Sequence, residues 1–421
     1  MMYDLIVVGA GIVGLTSAFH YVKNNGGKVL VVEAQAGPAQ GNTARSVGGF
    51  RMGLFTSSIN RLISETTVKY YLDVQRGGYD LGIHQIGYLI LLDELNYDMY
   101  VQRVQELFRA GTAKLLSRDE LKSKVGFIQL DLVDEEAQLM GLRPIKGAIF
   151  SPFSGYLDVE KLAMHYYEKL VEMGVEFKFN TRVERLKLAA VNKIGHPREP
   201  FAWQEKKIEA VETSRGLFEA EKFILATGAW SQELLDPLGI DSYIKPKKRQ
   251  IFASPAGGEL EAFFNVKGFN DFGTLPMTFI PRGPFVAPRI RDRSLWMGLS
   301  DDIGRRWGLD FEAEDLFFYD NVYPLLRKIF PVIEGVRPQS KWAGCYSINT
   351  IDENPVAFRI MNLIVATGGS GSGVMKADSL GRIAAALAVD RKEVELYGGV
   401  KVPSTLLGIR ERRIEPEMLV F

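Results

Sequence analysis

One stretch near the start of the chain constrains the fold more than any other, because an apolar run leads directly into closely spaced glycines. Residues 5–8 are Leu-Ile-Val-Val, and Gly9, Gly11 and Gly14 follow in the spacing Gly-x-Gly-x-x-Gly. The first glycine permits a tight turn, the second lets the backbone approach a pyrophosphate, and the third lets helix and strand pack closely. A helix that starts here directs unpaired N–H groups at phosphates.

A second apolar run, residues 29–32, ends in the acid Glu33. A carboxylate placed roughly 20 residues after such glycines can accept a hydrogen bond from a ribose 2′-OH. Strand, glycine motif, helix, strand and acid in this order predict a βαβ unit that binds a dinucleotide, with Ala10, Ile12 and Ala34 beside the same ligand. The alternative is a glycine-rich turn without a ligand, which the ordered context disfavours.

The composition restricts the class of protein and its partners. A length of 421 residues suggests two or three domains. Basic and acidic residues number 51 each, so nothing points to nucleic acid or to an anionic membrane. No apolar run approaches the roughly 20 residues of a transmembrane helix. The chain enters its first strand at once, so we expect no signal peptide. The single cysteine, Cys345, cannot form an internal disulfide. Together these features favour a cytoplasmic protein.

Three junctions between an apolar strand and a glycine lie far apart in the sequence, at Gly9, Gly228 and Gly368. Parallel strands of a doubly wound sheet bring their carboxyl ends together, and ligands bind there. Much of the intervening sequence is rich in proline and aromatic residues and reads as antiparallel strands. We therefore predict an α/β fold in which one nucleotide-binding domain is assembled from separate segments.

The predicted domains follow from these junctions. The Rossmann-like nucleotide-binding domain with a parallel sheet is discontinuous and comprises residues 1–82, 147–240 and 338–395. The inserted substrate domain, a mainly antiparallel β-sheet with helices, comprises residues 83–146 and 241–337. Residues 396–421 form an apolar tail that we expect to pack on the body of the protein.

Five further segments support a family resemblance that covers nearly the whole chain. They are residues 42–51 (Asn-Thr-Ala-Arg-Ser-Val-Gly-Gly-Phe-Arg), 155–158 (Gly-Tyr-Leu-Asp), 223–230 (Phe-Ile-Leu-Ala-Thr-Gly-Ala-Trp), 342–355 (Trp-Ala-Gly-Cys-Tyr-Ser-Ile-Asn-Thr-Ile-Asp-Glu-Asn-Pro) and 366–375 (Ala-Thr-Gly-Gly-Ser-Gly-Ser-Gly-Val-Met). With the opening fingerprint they make the chain similar to the D-amino acid oxidase superfamily of FAD-dependent oxidoreductases. Within it, the chain most resembles the sarcosine oxidase and dye-linked L-proline dehydrogenase (β-subunit-like) branch.

The resemblance implies FAD as the cofactor and no metal. Residues 369–375 would place backbone N–H groups of a helix N-terminus against the flavin pyrimidine edge, where the helix dipole stabilises negative charge. Simple turn formation is the alternative explanation for any one of these glycines. The cofactor-binding residues implied by the resemblance are Arg45, Ser46, Gly48, Gly49, Val183, Ala226, Thr227, Gly228, Trp230, Gly344, Gly369, Ser370, Gly371, Gly373, Val374 and Met375.

Cys345 resembles by position the cysteine that is joined to the flavin in monomeric sarcosine oxidase. An unpaired cysteine is, however, most often a small buried apolar residue. Covalent attachment would also need a thiolate. We therefore expect FAD to be bound non-covalently, with the covalent link as the alternative.

Two departures from the family pattern bear on the substrate. Tyr346 stands where D-amino acid oxidases and glycine oxidase carry an arginine that grips the substrate carboxylate. Met375 stands where monomeric sarcosine oxidase carries a carboxylate-binding lysine. The positive charge must then come from elsewhere, and we expect it from Arg51, which ends the Gly-Gly-x-Arg pattern, with Lys376 as the second candidate. A structural role or a contact with the flavin is the alternative for Arg51.

Arg289 and Arg291 are lower-ranked candidates for the same role, on a predicted strand of the substrate domain. The reaction that the resemblance implies is oxidation of the C–N bond of a small, secondary amino acid such as L-proline or sarcosine. The hydride equivalent goes to flavin N5 and the product is an imine. Oxygen, a quinone or a partner subunit would accept the electrons, and an oligomer is compatible with the sequence. The alternatives are a 2-hydroxy acid or glycerol-phosphate dehydrogenase and an FAD-binding structural or assembly subunit.

Overall fold

The computed structural model describes residues 2–419, and two large β-sheets organise them. The strands in chain order are β1 (Tyr3–Val8), β2 (Val29–Val32), β3 (Gly49–Phe50), β4 (Tyr88–Asp93), β5 (Lys114–Ser117), β6 (Ile145–Ser151), β7 (Gly155–Tyr156), β8 (Glu176–Lys178), β9 (Val183–Ala190), β10 (Lys206–Thr213), β11 (Gly216–Leu225), β12 (Ile244–Pro255), β13 (Met277–Phe279), β14 (Pro284–Arg289), β15 (Ser294–Leu299), β16 (Ser340–Asn349), β17 (Val356–Ile360), β18 (Leu363–Thr367), β19 (Glu393–Leu396) and β20 (Val400–Pro403).

Helices cover parts of both sheets. In chain order they are α1 (Ile12–Asn25), α2 (Ser58–Arg76), α3 (Tyr97–Arg103), α4 (Gln105–Arg109), α5 (Arg118–Lys124), α6 (Glu135–Leu139), α7 (Val159–Glu172), α8 (Ser231–Leu235), α9 (Asp315–Phe317), α10 (Tyr323–Ile329) and α11 (Ala377–Ala388). None of the described helices is long and apolar enough to cross a membrane.

The first sheet has the strand order β17-β18-β11-β1-β2-β8, and β18, β11, β1, β2 and β8 run parallel. Both faces of its central strands are covered, so β1 and β2 are apolar almost without interruption. Because β1, β11 and β18 are neighbours, the glycine turns at Gly9, Gly228 and Gly368 meet at one edge of the sheet. This arrangement confirms the predicted α/β fold class.

Helix α1 packs against α11 and α7 over one face of this sheet, and their apolar side chains form one core. On the other face, β9 and β10 form an antiparallel hairpin that pairs with β11 and encloses a second core. The polar residues 191–205 connect the two hairpin strands.

The second sheet has the order β16-β12-β15-β14-β13-β4-β6-β5, and every pair except β13 with β4 is antiparallel. A core rich in phenylalanine lies under it. Strands β6 and β16 begin close to the predicted domain boundaries at 147 and 338, and both pair into this second sheet. The division of the chain into two domains remains a proposal.

Two helical segments are irregular. Residues 97–109 divide at Val104 into α3 and α4. Residues 315–329 form one continuous helical segment, in which a wider turn over Phe318–Val322 joins α9 to α10. Pro324 lies in the first turn of α10, directly after this wider turn, where its missing N–H is tolerated.

The tail includes β20 and then contacts β17 of the first sheet, where the Ala357 N–H donates to the Leu407 carbonyl. Arg412 forms a fully buried ion pair with Asp352, with an N–O distance of 2.6 Å. Leu407 and Leu419 are completely buried. Val420 and Phe421 lie outside the described residues, so the expectation for Phe421 is not addressed by the structure.

Candidate active site

One cavity extends from the carboxyl edge of the first sheet to a face of the second sheet. It is lined by Arg51 and Tyr346 of the predicted catalytic residues. Of the predicted cofactor-binding residues it is lined by Gly9, Gly11, Ile12, Glu33, Ala34, Arg45, Ser46, Gly49, Val183, Ala226, Thr227, Gly228, Trp230, Gly344, Gly369, Ser370, Gly371, Gly373, Val374 and Met375.

The glycine turn after β1 leaves bare backbone at the cavity wall. Gly9 has φ +101°, and a Cβ there would stand 2.8 Å from the carbonyl oxygen of Ala226. A Cβ on Gly11 would meet only Thr43 Oγ1, at 3.4 Å. Helix α1 starts at Ile12, and its N-cap glycine provides no side-chain cap. The turn therefore offers a phosphate the helix dipole and an approach without side chains.

Three of the predicted cofactor-binding residues, Ala10, Gly14 and Gly48, lie behind the cavity wall and do not line the cavity. The Ala10 N–H donates to Glu33 Oε2 at 2.7 Å, which fixes the carboxylate. A Cβ on Gly14 would overlap the carbonyl oxygen of Gly9, and one on Gly48 would overlap that of Leu157. These residues allow close packing of the cavity wall, so their contribution to a ligand is indirect.

Glu33 lies at the end of β2 and lines the cavity. Its Oε1 accepts the N–H of Gln35 at 2.8 Å, and its Oε2 accepts the N–H of Ala10. Each carboxylate oxygen can accept a further hydrogen bond. The orientation suits a ribose hydroxyl, as the sequence predicts.

The loop between β18 and α11 forms another wall. Gly371 has φ +80°, and a Cβ there would meet the Tyr346 ring at 2.5 Å. Ser370 ties this loop to β16, since its N–H donates to the Ser347 carbonyl and its Oγ accepts the N–H of Asn349. A helical turn, Val374–Lys376, leads into α11 without a side-chain cap. The loop thus presents backbone to the cavity where the sequence predicts the flavin.

Aromatic and cationic side chains line the cavity near residues 41–46. Trp230 stacks on Phe311 with ring centroids 5.3 Å apart, and the Arg45 guanidinium lies 5.1 Å from the same phenylalanine ring. Arg45 also donates to the carbonyls of Gln40 and Gly41. These contacts fix the loop that follows Ala34.

Cys345 is buried and is one of the residues that line the cavity. Its Sγ contacts the Asp310 carbonyl oxygen at 3.3 Å. Burial raises the pKa of the Cys345 thiol, which disfavours the thiolate. Among residues 2–419, no group of three or more His, Cys, Asp or Glu side chains is arranged to hold a metal.

The opposite end of the cavity is apolar and aromatic, and the sequence analysis did not identify its residues. They are Tyr88, Ile251, Met277, Phe279 and Phe285, from β4, β12, β13 and β14. Alternation along a strand could show that Met277 and Phe279 share a face. It could not show which face meets the cavity.

Two tyrosine hydroxyls complete this end. Burial raises the pKa of Tyr88 and that of Tyr346, so both hydroxyls stay protonated at neutral pH. Gly49 lies against the Tyr88 hydroxyl, and a Cβ there would collide with it. The two tyrosines can donate hydrogen bonds to a ligand in the cavity.

Arg51 lines this end of the cavity but is tied to the protein. Its Nη1 donates to the Leu419 carbonyl at 2.6 Å and to that of Leu54 at 3.4 Å. The guanidinium lies 4.1 Å from the ring centroid of Phe55. Burial lowers the pKa of Arg51, and the negative charge of Glu417 opposes that shift.

The tail reaches this region through Glu417. Its carboxylate accepts the N–H groups of Thr56 and Ser57 at 3.0 and 3.2 Å, just before α2 begins. Burial raises the pKa of Glu417, but Arg51 and these hydrogen bonds outweigh it and the net shift is downward. Leu419 is buried among the apolar residues around Tyr88.

Lys376, the second predicted catalytic cation, does not line the cavity. Only 1% of the residue is exposed, and its Nζ has no hydrogen-bond partner among residues 2–419. It lies 5.1 Å from the Phe55 ring centroid. Burial, with the nearby charge of Arg51, lowers the pKa of Lys376 to about 7. The helical turn that precedes α11 directs this side chain into the interior.

The lower-ranked arginines are also away from the cavity wall. Arg289 lies between the rings of Tyr156 and Trp296, 3.6 and 4.2 Å from their centroids. Arg291 has a largely exposed side chain and pairs with Asp158 at 3.1 Å. Both have structural partners.

Comparison with known proteins identifies relatives over most of the chain. The family profile described as "DAO: FAD dependent oxidoreductase" matches residues 4–387. FAD-dependent oxidoreductase domain-containing protein 1 of Xenopus laevis is 25% identical over 431 residues, which cover 92% of this chain and 79% of that protein. Monomeric sarcosine oxidase of Bacillus sp. is 22% identical, with 93% of each chain covered.

Solved structures agree with the fold. L-proline dehydrogenase from P. horikoshii superimposes with a TM-score of 0.75 at 23% identity, covering 97% of this chain and 96% of that one. A bare-backbone glycine turn, an oriented Glu33 and a backbone loop before α11 all border the cavity in which FAD would lie. The chain belongs to the DAO family of FAD-dependent oxidoreductases.

Proposed function

We propose that the protein oxidises the C–N bond of a small amino acid, a secondary one such as L-proline or sarcosine, to the imine. The observation that carries the proposal is the continuity of one cavity. Its glycine-lined end suits a dinucleotide, and its other end combines apolar walls with arginine and tyrosine side chains. A compact amino acid needs both the apolar walls and the arginine and tyrosine side chains of this second end.

FAD, when bound, would supply the acceptor for the hydride equivalent, which carries the two electrons that leave the substrate. The residues that would hold it are the glycine turn after β1, Glu33, and the loop between β18 and α11. These residues fit the cofactor because the glycines leave backbone uncovered at the cavity wall and Glu33 presents an oriented carboxylate.

The chain's own task at the other end is to bind and orient the substrate. Ile251, Met277, Phe279 and Phe285 enclose its carbon skeleton and exclude water, which strengthens charge interactions in the cavity. The tyrosine hydroxyls can hydrogen-bond to its polar groups, and buried cations attract its carboxylate. No strong base is needed when the amine binds in its neutral form, and fixing its orientation contributes much of the rate.

Cys345 supports non-covalent binding of the cofactor. Its thiol is buried with a raised pKa, whereas attachment requires a thiolate. The separate cores under the two sheets support a division into a cofactor domain and a substrate domain, with β6 and β16 pairing into the second sheet. The burial of Leu407 and Leu419 supports the proposed packing of the tail on the body of the protein.

The test is an anaerobic titration of the flavin-loaded protein with L-proline, sarcosine, glycine, D-alanine, lactate and glycerol 3-phosphate. We expect L-proline or sarcosine to bleach the flavin absorbance. Bleaching by lactate or glycerol 3-phosphate alone would replace the proposal with a hydroxy-substrate dehydrogenase. No bleaching by any amine or hydroxy compound, with FAD bound, would favour a structural subunit.

A further inference from the structure

Two guanidinium groups line the substrate end of the cavity, those of Arg51 and Arg249. The first is occupied by the main-chain carbonyls of Leu54 and Leu419. Arg249 was not singled out by the sequence. Only 7% of this residue is exposed, and its Nε is buried without a hydrogen-bond partner among residues 2–419. Buried N–H groups are nearly always paired, so an orphan beside a cavity suggests a missing acceptor.

Strand pairing explains why Arg249 reaches the cavity. Strands β12 and β16 are antiparallel, with Arg249 directly opposite Gly344. Residues opposite each other, and those two positions along, share a face of the sheet. Arg249 therefore joins Ile251 and Tyr346 on the cavity face, and its guanidinium lies 5.3 Å from the Tyr346 ring centroid.

The rest of the guanidinium is anchored. Its Nη1 donates to the carbonyls of Lys248 and Asp301, at 3.1 and 2.8 Å. Its Nη2 pairs with Asp302 at 2.6 Å, and the side chain of Asp302 is 69% exposed. The Asp301 carboxylate lies 3.9 Å from Arg249 Nη1 and pairs with Arg305 Nε at 2.6 Å. These contacts fix the position of the group and leave the Nε edge unsatisfied.

The neighbouring Lys248 does not compete with Arg249 for a ligand in the cavity. Lys248 Nζ is directed to Asp310 and Glu314, at 2.9 and 3.3 Å. Lys376 is enclosed behind the wall. Among the described side chains that line the cavity, Arg249 is thus the cation with an unsatisfied N–H group beside the apolar surface.

We propose that Arg249 binds the carboxylate of the substrate through its Nε edge. The proposal rests on the amino-acid oxidation proposed above and names the residue that selects the substrate class, compact monocarboxylates with an apolar body. A guanidinium suits this task because it presents planar, charge-assisted donors that match a carboxylate. The aromatic residues of β13 and β14 then contact the remainder of the ligand.

The test uses two ring compounds of nearly the same shape, the anionic cyclopentanecarboxylate and the neutral cyclopentanecarboxamide. Neither has an oxidisable ring nitrogen, so binding is measured without turnover, from the perturbation of the visible absorbance of bound flavin. The protein should prefer the carboxylate by at least tenfold. Arg249→Met keeps the apolar stem and should lose that preference, with affinity for the carboxamide unchanged. Its ion-pair partner Asp302 is mostly exposed, so the substitution leaves no deeply buried carboxylate unpaired.

Arg291→Met is the matched control, because it removes an exposed arginine away from the cavity, and it should retain the preference. Arg249→Lys keeps the charge but lacks the fork and should show an intermediate preference. It also serves as the test variant if Arg249→Met fails to bind FAD. An unchanged preference in Arg249→Met, or wild-type behaviour in Arg249→Lys, would overturn direct contact. The probes are not oxidised, so this binding test does not depend on the proposed reaction. Failure of amino acids to bleach the flavin would overturn the proposed reaction, and the preference for the carboxylate would still decide the role of Arg249.

Discussion

The cofactor end and the substrate end of the cavity are built from different parts of the chain. Backbone dominates the cofactor end, where Gly9, Gly11 and Gly371 leave space that any side chain would fill. Side chains from four strands dominate the substrate end. A backbone surface can bind the same cofactor throughout a family, whereas a side-chain surface can change with the substrate. The comparison therefore predicts that substitutions at the two ends will affect different measurable quantities.

The largest effect should come from Gly14→Ala, because the added Cβ overlaps the carbonyl oxygen of Gly9 in the middle of the glycine turn. The backbone can relieve this only by moving. We expect a loss in FAD affinity of more than about 3 kcal/mol, beyond the usual cost of overpacking. The flavin-to-protein absorbance ratio and calorimetric titration measure it. Gly126→Ala is the control, since no atom lies within 4 Å of its added Cβ. Normal FAD content in Gly14→Ala would contradict a backbone-built cofactor end.

Arg51→Ala should act at the substrate end. It removes a buried positive charge from the cavity wall, and losing such a charge near a desolvated carboxylate costs roughly 2–5 kcal/mol. We expect KM for the amino acid to rise at least tenfold while FAD stays bound. Because Arg51 also holds Leu419, the melting temperature should fall as well. Steady-state kinetics and thermal melting measure these effects. Unchanged KM would leave Arg249 as the cation that acts on the substrate, and loss of FAD would assign Arg51 to the cofactor.

Glu33→Ala should weaken FAD binding without changing the substrate end. The variant loses a carboxylate oriented by the N–H groups of Ala10 and Gln35, and a hydrogen bond to a charged group contributes about 1–3 kcal/mol. Equilibrium dialysis with FAD gives the affinity. Glu172→Ala, on the exposed end of α7, should have no effect. A Glu33→Ala protein with normal affinity for FAD would remove the ribose contact from the proposal.

Lys376→Met tests the cation enclosed behind the substrate end. The pKa of Lys376 is lowered to about 7 in the folded protein, so the unfolded chain binds more protons above that pH. Burial of this lysine therefore costs most below pH 7, and the cost declines as pH rises from about 7 toward the ordinary lysine pKa. Lys376→Met should stabilise the protein by at least about 1.4 kcal/mol at pH 6, and by less at pH 9. Denaturant unfolding at both pH values measures the difference.

The exposed Lys392→Met serves as the control and should show no such pH dependence. A stabilisation by Lys376→Met that is equal at pH 6 and pH 9 would contradict burial of a titrating amine. A loss of activity with intact FAD and an intact fold would instead restore Lys376 as a residue that acts on the substrate.

Cys345→Ser should have the smallest effect. The buried thiol has a raised pKa, so we expect FAD to be released from both proteins on acid denaturation. Flavin fluorescence on a denaturing gel gives the answer. Fluorescence that stays with the native polypeptide and disappears in Cys345→Ser would establish a covalent link.

The sequence alone determined the fold class and the plan of the cofactor end. The glycine spacing reflects steric requirements within a short stretch of chain. Gly9 has a positive φ, and Gly14 lies against the Gly9 carbonyl, so a side chain is excluded at both positions. A local requirement of this kind is visible in the residues themselves. The apolar run before each glycine turn also predicts that β18, β11 and β1 are parallel strands of one sheet, whereas their order is seen only in the structure.

Only the tertiary structure decided the substrate end. The orphan Nε of Arg249 and the approach of Met277 and Phe285 depend on the pairing of strands distant in sequence. The docking of Leu419 beside Arg51 depends on the contacts of the tail with residues 56–60, at the start of α2. Lys376, next to a glycine loop in sequence, is directed into the interior for the same reason. Long-range packing selects one face of each strand and helical turn, and no local pattern specifies that selection.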